Sequence, residues 1–133
     1  MNGLITIESA FDAAETVARL RSAITSSGNS VFAIFDHAAG AVAAGLPLRP
    51  TTVIAFGNPA AGTKLMQMNQ MAAIDLPLKI LVWQDEANKA NISYNDPQWL
   101  SERHELGPEA QAVIAAMSRL LAAVTEQSAR AAA

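Results

Sequence analysis

Asp36-His37, Asn58-Pro59 and Asn95-Asp96 are the points where residue type and spacing in this chain could support chemistry. Asp36 and His37 form the best acid–base candidate, because imidazole titrates near neutral pH and an adjoining carboxylate can orient it. The three dipeptides share a grammar: each closes an expected strand and opens a helical stretch. A helix start presents unpaired backbone N–H groups and the positive end of the helix dipole, so each can hold an anion. The same residue types are also the favoured helix caps, with proline favoured just inside the helix. Capping explains each cluster taken alone; convergence on one sheet edge would make them a site. Asn58 and Asn95 share an edge if strand 51–57 runs antiparallel to strand 79–85 and the latter forms a hairpin with 91–95. Asp36-His37 joins them only if its strand runs in the same sense.

Other residues extend this reading. Phe56, Trp83 and Tyr94 could wall a pocket into which His37, Asn58 and Asn95 project polar groups, the usual mix of apolar walls and a few directed contacts. Tyr94 could also polarise a carbonyl, and Arg103 could grip a carboxylate. A tyrosine with its ring in the core and its hydroxyl at the rim fits equally well. Gly57, Asn58, Pro59, Gly62 and Thr63 echo a phosphate loop, but the glycine spacing differs from a P-loop and no GK[ST] follows. His37 and His104 are the only histidines, so one chain cannot supply three histidine ligands. A site of both histidines with Asp36 or Asp85 is conceivable, but Asp36 and His37 are strand neighbours that point to opposite faces, which argues against both binding one ion unless a turn re-aims them. No metal is assigned and no cofactor is specified. His104, four residues after Leu100 on a short helix, reads as a hydrogen-bonded structural histidine. No nucleophile-elbow word accompanies the serines. Met66, Met68 and Met71, with Leu65, read as packing residues at a helix–sheet or dimer contact, and Trp83 and Trp99 as core.

These residues are positioned by alternating strands and helices. Leu4 to Glu8 is β-branched and strand-like. Ser9 and Asp12 suggest a capped helix carrying Phe11, Ala14, Val17, Ala18 and Ile24 at helical spacing, closed by Gly28. Val31 to Asp36 is a continuous apolar run, as expected of a strand covered on both faces. Asp36 then caps an Ala-rich segment to Ala44, weakened by Gly40 and ended by Gly45. Thr51 to Gly57 is a strand, and Asn58-Pro59 opens a helix running into Lys64 to Met71. Lys79 to Asp85 and the alternating Asn91 to Asn95 form a hairpin. A short helix follows from Asp96-Pro97 through Glu105, and after Gly107-Pro108 a long helix carries Ala110, Ile114, Met117, Leu121 and Val124 on one stripe. The tail from Gln127 to Ala133 is expected to fray.

Composition narrows the classes. With 133 residues, 51% hydrophobic and only 16% charged, the chain can bury a core and reads as a single soluble α+β domain over 1–133. The nine basic residues are scattered and the net charge is -3, which argues against nucleic acid as a partner. There is no cysteine, so disulfides, thiolate metal sites and a cysteine nucleophile are excluded, in keeping with a reducing compartment. The first ten residues lack a basic signal-peptide start, and no apolar run is long enough to span a membrane, so a cytoplasmic protein without a membrane partner is expected.

Four strings, FDHAAGA (35–41), FGNPAAGTKLM (56–66), DLPLKILVWQD (75–85) and SYNDPQWLSERHEL (93–106), together resemble the domain-of-unknown-function 302 family in order and spacing. The resemblance covers a core of about 4–106, with a C-terminal helix of about 108–127 completing the chain. It implies a two-layer sandwich, a five-stranded mixed or antiparallel sheet packed against helices, and a homodimer. It brings no activity. The family word has a tryptophan followed by two acids; here it is Trp83, Gln84, Asp85, so no chemistry needing a carboxylate at 84 applies.

Three functional readings follow. The favoured one is a small-molecule or anion binding domain using Phe56, Asn58, Trp83, Tyr94, Asn95 and Arg103. The alternatives are an enzyme with His37 as base and Asp36 as its orienter, and a homodimeric structural or interaction domain. A common hollow for His37, Asn58 and Tyr94 separates the first two from the third.

Overall fold

A computed structural model describes residues 2–131. Five strands, β1 (Leu4–Glu8), β2 (Ser30–Asp36), β3 (Thr51–Gly57), β4 (Leu78–Gln84) and β5 (Ala90–Asn95), form one sheet in the order β1-β5-β4-β3-β2. Every neighbouring pair is antiparallel, which decides between the mixed and antiparallel alternatives. The helices are α1 (Ala13–Ser26), α2 (His37–Ala43), α3 (Pro59–Met68), α4 (Pro97–Arg103) and α5 (Gln111–Ala129), with 3₁₀ segments at Gln70–Asp75 and Pro108–Ala110. The fold is α+β.

Register sorts the side chains. Ile34, Ile54, Ile80, Tyr94 and Ile5 stand opposite one another across all five strands and form one row. Side chains alternate along each strand, so Phe56, Val82 and Ile92 share that face. They are fully buried beneath Leu20 and Ile24 of α1 and Leu121 and Val124 of α5. Burying each such side chain contributes about 1.5–3 kcal/mol, the main driving force for closing the helices onto this face. A second cluster, Leu65, Leu100, Ala110, Ile114 and Met117, ties α3 and α4 to α5, and Leu78 packs against both clusters.

The row one residue along, Phe35, Val53, Leu81, Ser93 and Thr6, lies on the opposite face. There the Trp83 Nε1 donates to Ser93 Oγ at 2.9 Å, and Ser93 Oγ shares a 2.8 Å hydrogen bond with Thr6 Oγ1. Trp83 is therefore a partly exposed rim residue of this face, against the expectation of core. Val31–Asp36 differs from expectation for the same reason. β2 is an edge strand, and the large helices cover only one face, leaving Phe35 53% exposed.

Local differences have local causes. α1 begins at Ala13 because Asp12 accepts from Glu15 N, while Ser9 turns inward to share a 2.7 Å hydrogen bond with Thr16 Oγ1. Its buried stripe is Ala13, Thr16, Leu20, Ala23 and Ile24, so Ala14 and Ala18 face solvent. At the other end α5 continues to Ala129. Ser128 and Ala129 are buried, and Ala129 O accepts from Ala10 N, so this part of the tail is pinned rather than frayed. The expectation for Ala132 and Ala133 falls outside the described residues. Of the two contacts expected for Met68 and Met71, helix–sheet or dimer, the helix–sheet one does not form: both are exposed, because the helix stops at Met68 and a 3₁₀ segment turns Met71 outward.

Candidate functional site

The sheet topology separates the polar clusters. β2 runs antiparallel to β3, with Asp36 opposite Thr52 and Ser30 opposite Gly57. Asp36-His37 thus lies at one edge and Asn58 at the other, separated by the length of β3, roughly 20 Å at the rise of an extended chain. Ile80 pairs with Tyr94 and Phe56 with Leu78, which brings the Asn95 end to the Asn58 edge as the conditional reading required. The common hollow for His37, Asn58 and Tyr94 does not form. Tyr94 points into the core row beneath α5, and burial pushes its hydroxyl pKa up.

The dipeptides act as caps. Asp36 Oδ1 accepts from Ala39 N at 2.9 Å, Asn58 Oδ1 from Ala60 N at 2.9 Å, and Asp96 Oδ1 from Gln98 N at 3.0 Å. Among the described residues no hydrogen bond joins Asp36 to His37, and both are exposed. Asp85, one of the candidate carboxylate ligands, organises the β4–β5 turn instead: its oxygens accept from Asn91 Nδ2 and from the N–H groups of Ala87 and Lys89. The Asn91 amide, with those backbone donors, holds its carboxyl below the usual carboxylate range. Among the described residues no group of three or more His, Asp or Glu side chains is disposed to hold a metal ion.

Arg103 and His104 meet at a second polar centre, on Asp75. The Asp75 carboxylate accepts from Arg103 Nη1 at 3.1 Å and shares a 2.5 Å hydrogen bond with His104 Nε2. Asn69 Nδ2 donates to the carbonyl of His104, tying the end of α4 to the 3₁₀ segment. His104 is buried, in keeping with a structural histidine, and the Arg103 cation is already engaged. Asp75 had no distinguishing signal in the sequence, since nothing local marks its partners 28 and 29 residues away.

A hollow lies instead between α3 and α5. It encloses about 730 Å³. Phe56 and Gly57 at the end of β3 and Leu78 at the start of β4 form its base, with Ala61, Gly62, Lys64 and Met66 from α3. Ala112, Val113, Ala116 and Leu120 supply the α5 side, and Asn58, Thr63 and Asn29 its polar groups. Of the eight candidate residues, Phe56 and Asn58 line this hollow; Asp36, His37, Trp83, Tyr94, Asn95 and Arg103 do not. Lys64 and the α5 residues were missed. A signal did exist: Ala112, Ala116 and Leu120 recur every fourth residue beside the buried stripe, making the apolar surface of α5 wider than one packed face needs.

Comparison with known proteins adds the family. A family model described as "Domain of unknown function DUF302" matches residues 5–124. The chain belongs to the DUF302 family. The match takes in the core of about 4–106 and most of the C-terminal helix that completed the resemblance. The crystal structure of an uncharacterized conserved DUF302 protein from Bacillus stearothermophilus superposes with a TM-score of 0.86 over 98% of this chain and 100% of that one, at 21% identity. That likeness concerns the fold. Two curated relatives are each 44% identical over 128 residues, or 96% of this DUF302 chain: "Fluoride-specific ion channel FluC 1" of Brucella suis biovar 1 (strain 1330) and its namesake in Brucella abortus biovar 1 (strain 9-941). The matched region is 50% and 47% of those proteins, so the DUF302 chain spans about half the length of the curated relatives it matches.

Proposed function

We propose that this DUF302 chain is a small-molecule binding domain whose ligand occupies the groove between α3 and α5. The observation that carries this reading is the hollow itself. Its volume of about 730 Å³ falls in the range of roughly 300–1,000 Å³ typical of ligand sites, and it combines apolar walls with a few polar groups, Phe56 and Asn58 among them. Met66 and Met117 give those walls adaptable surfaces. A metabolite panel screened by thermal shift tests it, because a ligand that binds only the folded state raises stability by about 2.7 kcal/mol at a hundred times its Kd. The control is Ala116→Phe, which adds a ring to the hollow from an exposed helix position. Hits that stabilise the wild type and not the variant are expected; hits that stabilise both equally would place the ligand elsewhere.

Acid–base catalysis by Asp36 and His37 gains no support from their position, far from the groove and with the Asp36 carboxylate occupied as a cap. A homodimer is part of the proposal. Phe35, Val42, Leu46 and Leu48 are exposed apolar residues on and after the edge strand β2, the kind of surface a second copy would cover. Light scattering on the wild type and on Phe35→Asp checks this, with a dimer converted to monomer expected. One folding unit over 1–133 is likewise proposed, supported by Leu78 bridging both clusters; coincident unfolding by circular dichroism and tryptophan fluorescence is the expected result. Cytoplasmic residence is proposed from the cysteine-free composition and is checked by cell fractionation.

The names of the curated relatives favour a second reading, association with a fluoride channel. No helix among the described residues is long and apolar enough to cross a membrane, so the proposed role is that of a binding domain attached to or partnered with a channel. Co-purification of this chain with the remaining half of a Brucella relative tests it.

A further inference from the structure

The charge of the α3–α5 groove is one-sided, and this narrows what it can hold. The chain carries 12 acidic and 9 basic residues, yet among the described residues Lys64 is the only charged side chain lining the hollow. Among the described residues its ammonium takes part in no ion pair and no side-chain hydrogen bond, whereas Arg19, Arg103 and Arg130 are each paired with a carboxylate. The start of α3 does not compete for an anion. Asn58 Oδ1 satisfies Ala60 N, and the Asn58 carbonyl accepts from Ala61 N and Gly62 N. The sole positive group therefore sits beside an otherwise apolar trough whose accessible walls are Met66, Leu78, Val113 and Leu120.

We propose that the groove binds an amphipathic monoanion, a hydrocarbon body lying in the trough and a carboxylate meeting Lys64. The reasoning rests on the binding reading above and adds charge complementarity to it. A neutral apolar molecule would leave the exposed ammonium to water and gain nothing from it. A cation would meet like charge with no carboxylate in the lining to compensate. Thr63 and Asn29 can serve the second carboxylate oxygen as donors.

Octanoate, 1-octanol and octylamine, matched in chain length and differing in head group, are the probes, titrated by calorimetry against the wild type, Lys64→Met and Ala116→Phe. Octanoate is expected to bind the wild type most tightly and octylamine least. Lys64→Met should weaken octanoate by up to about fivefold, as for a partly exposed ion pair, while leaving octanol unchanged. Extending the carboxylate by one methylene should tighten binding roughly fourfold while the trough still has room. Ala116→Phe should abolish binding of octanoate and octanol alike. Equal binding of octanoate and octanol, or an undiminished octanoate affinity in Lys64→Met, would overturn the charge assignment and leave a binding groove standing. Octanoate bound equally well by Ala116→Phe would overturn the site, and failure of all three probes on the wild type would overturn the trough as a hydrocarbon site. Circular dichroism of both variants confirms the fold, and neither position is buried.

Discussion

Gly3→Ala is predicted to be among the most damaging single-methyl additions in this chain, and its cost can be divided into two parts. Gly3 adopts φ +77°, in the left-handed region where an L side chain costs about 1–2 kcal/mol. A Cβ there would also stand 2.7 Å from Cδ1 and 2.8 Å from Cβ of Trp99. The Trp99 Cβ is close to the backbone of α4 and cannot swing aside, so relief requires moving the helix or the strand. Overpacking of this kind adds about 1–3 kcal/mol. Gly3 is held in place from the other side, since its carbonyl accepts from Asp96 N at 2.7 Å. The expected total is about 3 kcal/mol. Gly45 supplies the control, with the same φ of +77° and nothing within 4 Å of an added Cβ. Gly45→Ala should show the backbone cost alone. Urea denaturation followed by circular dichroism, with unchanged m-values, measures both. In a Trp83→Phe background the emission of Trp99 should also shift in Gly3→Ala. Equal destabilisation by the two variants, within about 0.5 kcal/mol, would refute the packing of Trp99 onto Gly3.

Three further changes follow from buried polar groups. Tyr94 is the only tyrosine, so ultraviolet titration reads it directly. Burial raises its pKa above the ordinary 10.0, the charges of Asp96 and Glu126 add to this, and the Thr125 hydroxyl pulls the other way. The unfolded chain therefore releases this proton first. The stabilising contribution is complete below pH 10 and is lost as pH rises through the folded value; a normal titration curve would contradict the burial of the hydroxyl. Ser128→Ala should stabilise by about 1 kcal/mol in thermal or urea unfolding, because the buried Ser128 Oγ has no hydrogen-bond partner among the described residues. Asp75→Asn should cost about 1–2 kcal/mol by urea midpoint, mostly through the buried His104; the half-exposed Arg103 adds little.

The contrast between β3 and the groove shows what a single sequence can and cannot reveal. β1 and β3 have the expected bounds because β-branched runs ending in polar or glycine punctuation are local signals, and Asn58 and Asp96 cap the helices their side chains predict. The separation of His37 from Asn58 needed one fact more. Consecutive strands that pair antiparallel end on opposite edges, so Asp36 and Gly57 cannot share an edge once β2 and β3 are neighbours. What could not be read was that adjacency itself, since β1 and β2, joined through α1, lie at opposite edges of the sheet.

The groove is harder still, because it is a space and not a residue pattern. It stays open where Ala61 and Gly62 of α3 meet Ala112 and Ala116 of α5, four small residues from segments about fifty positions apart. In the sequence each of these looks like ordinary helix filler, and only the second apolar stripe on α5 hints that this helix has more surface than the core consumes. Asp36, His37 and Asn95 drew attention because their chemistry is visible in their side chains, yet the first is a helix cap and the other two stand exposed outside the groove. Lys64 drew none, because a lysine on a helix is normally a solvated charge. Its distinction comes from neighbours that carry no charge at all, a property that exists only after folding has brought α3, α5 and the ends of β3 and β4 together.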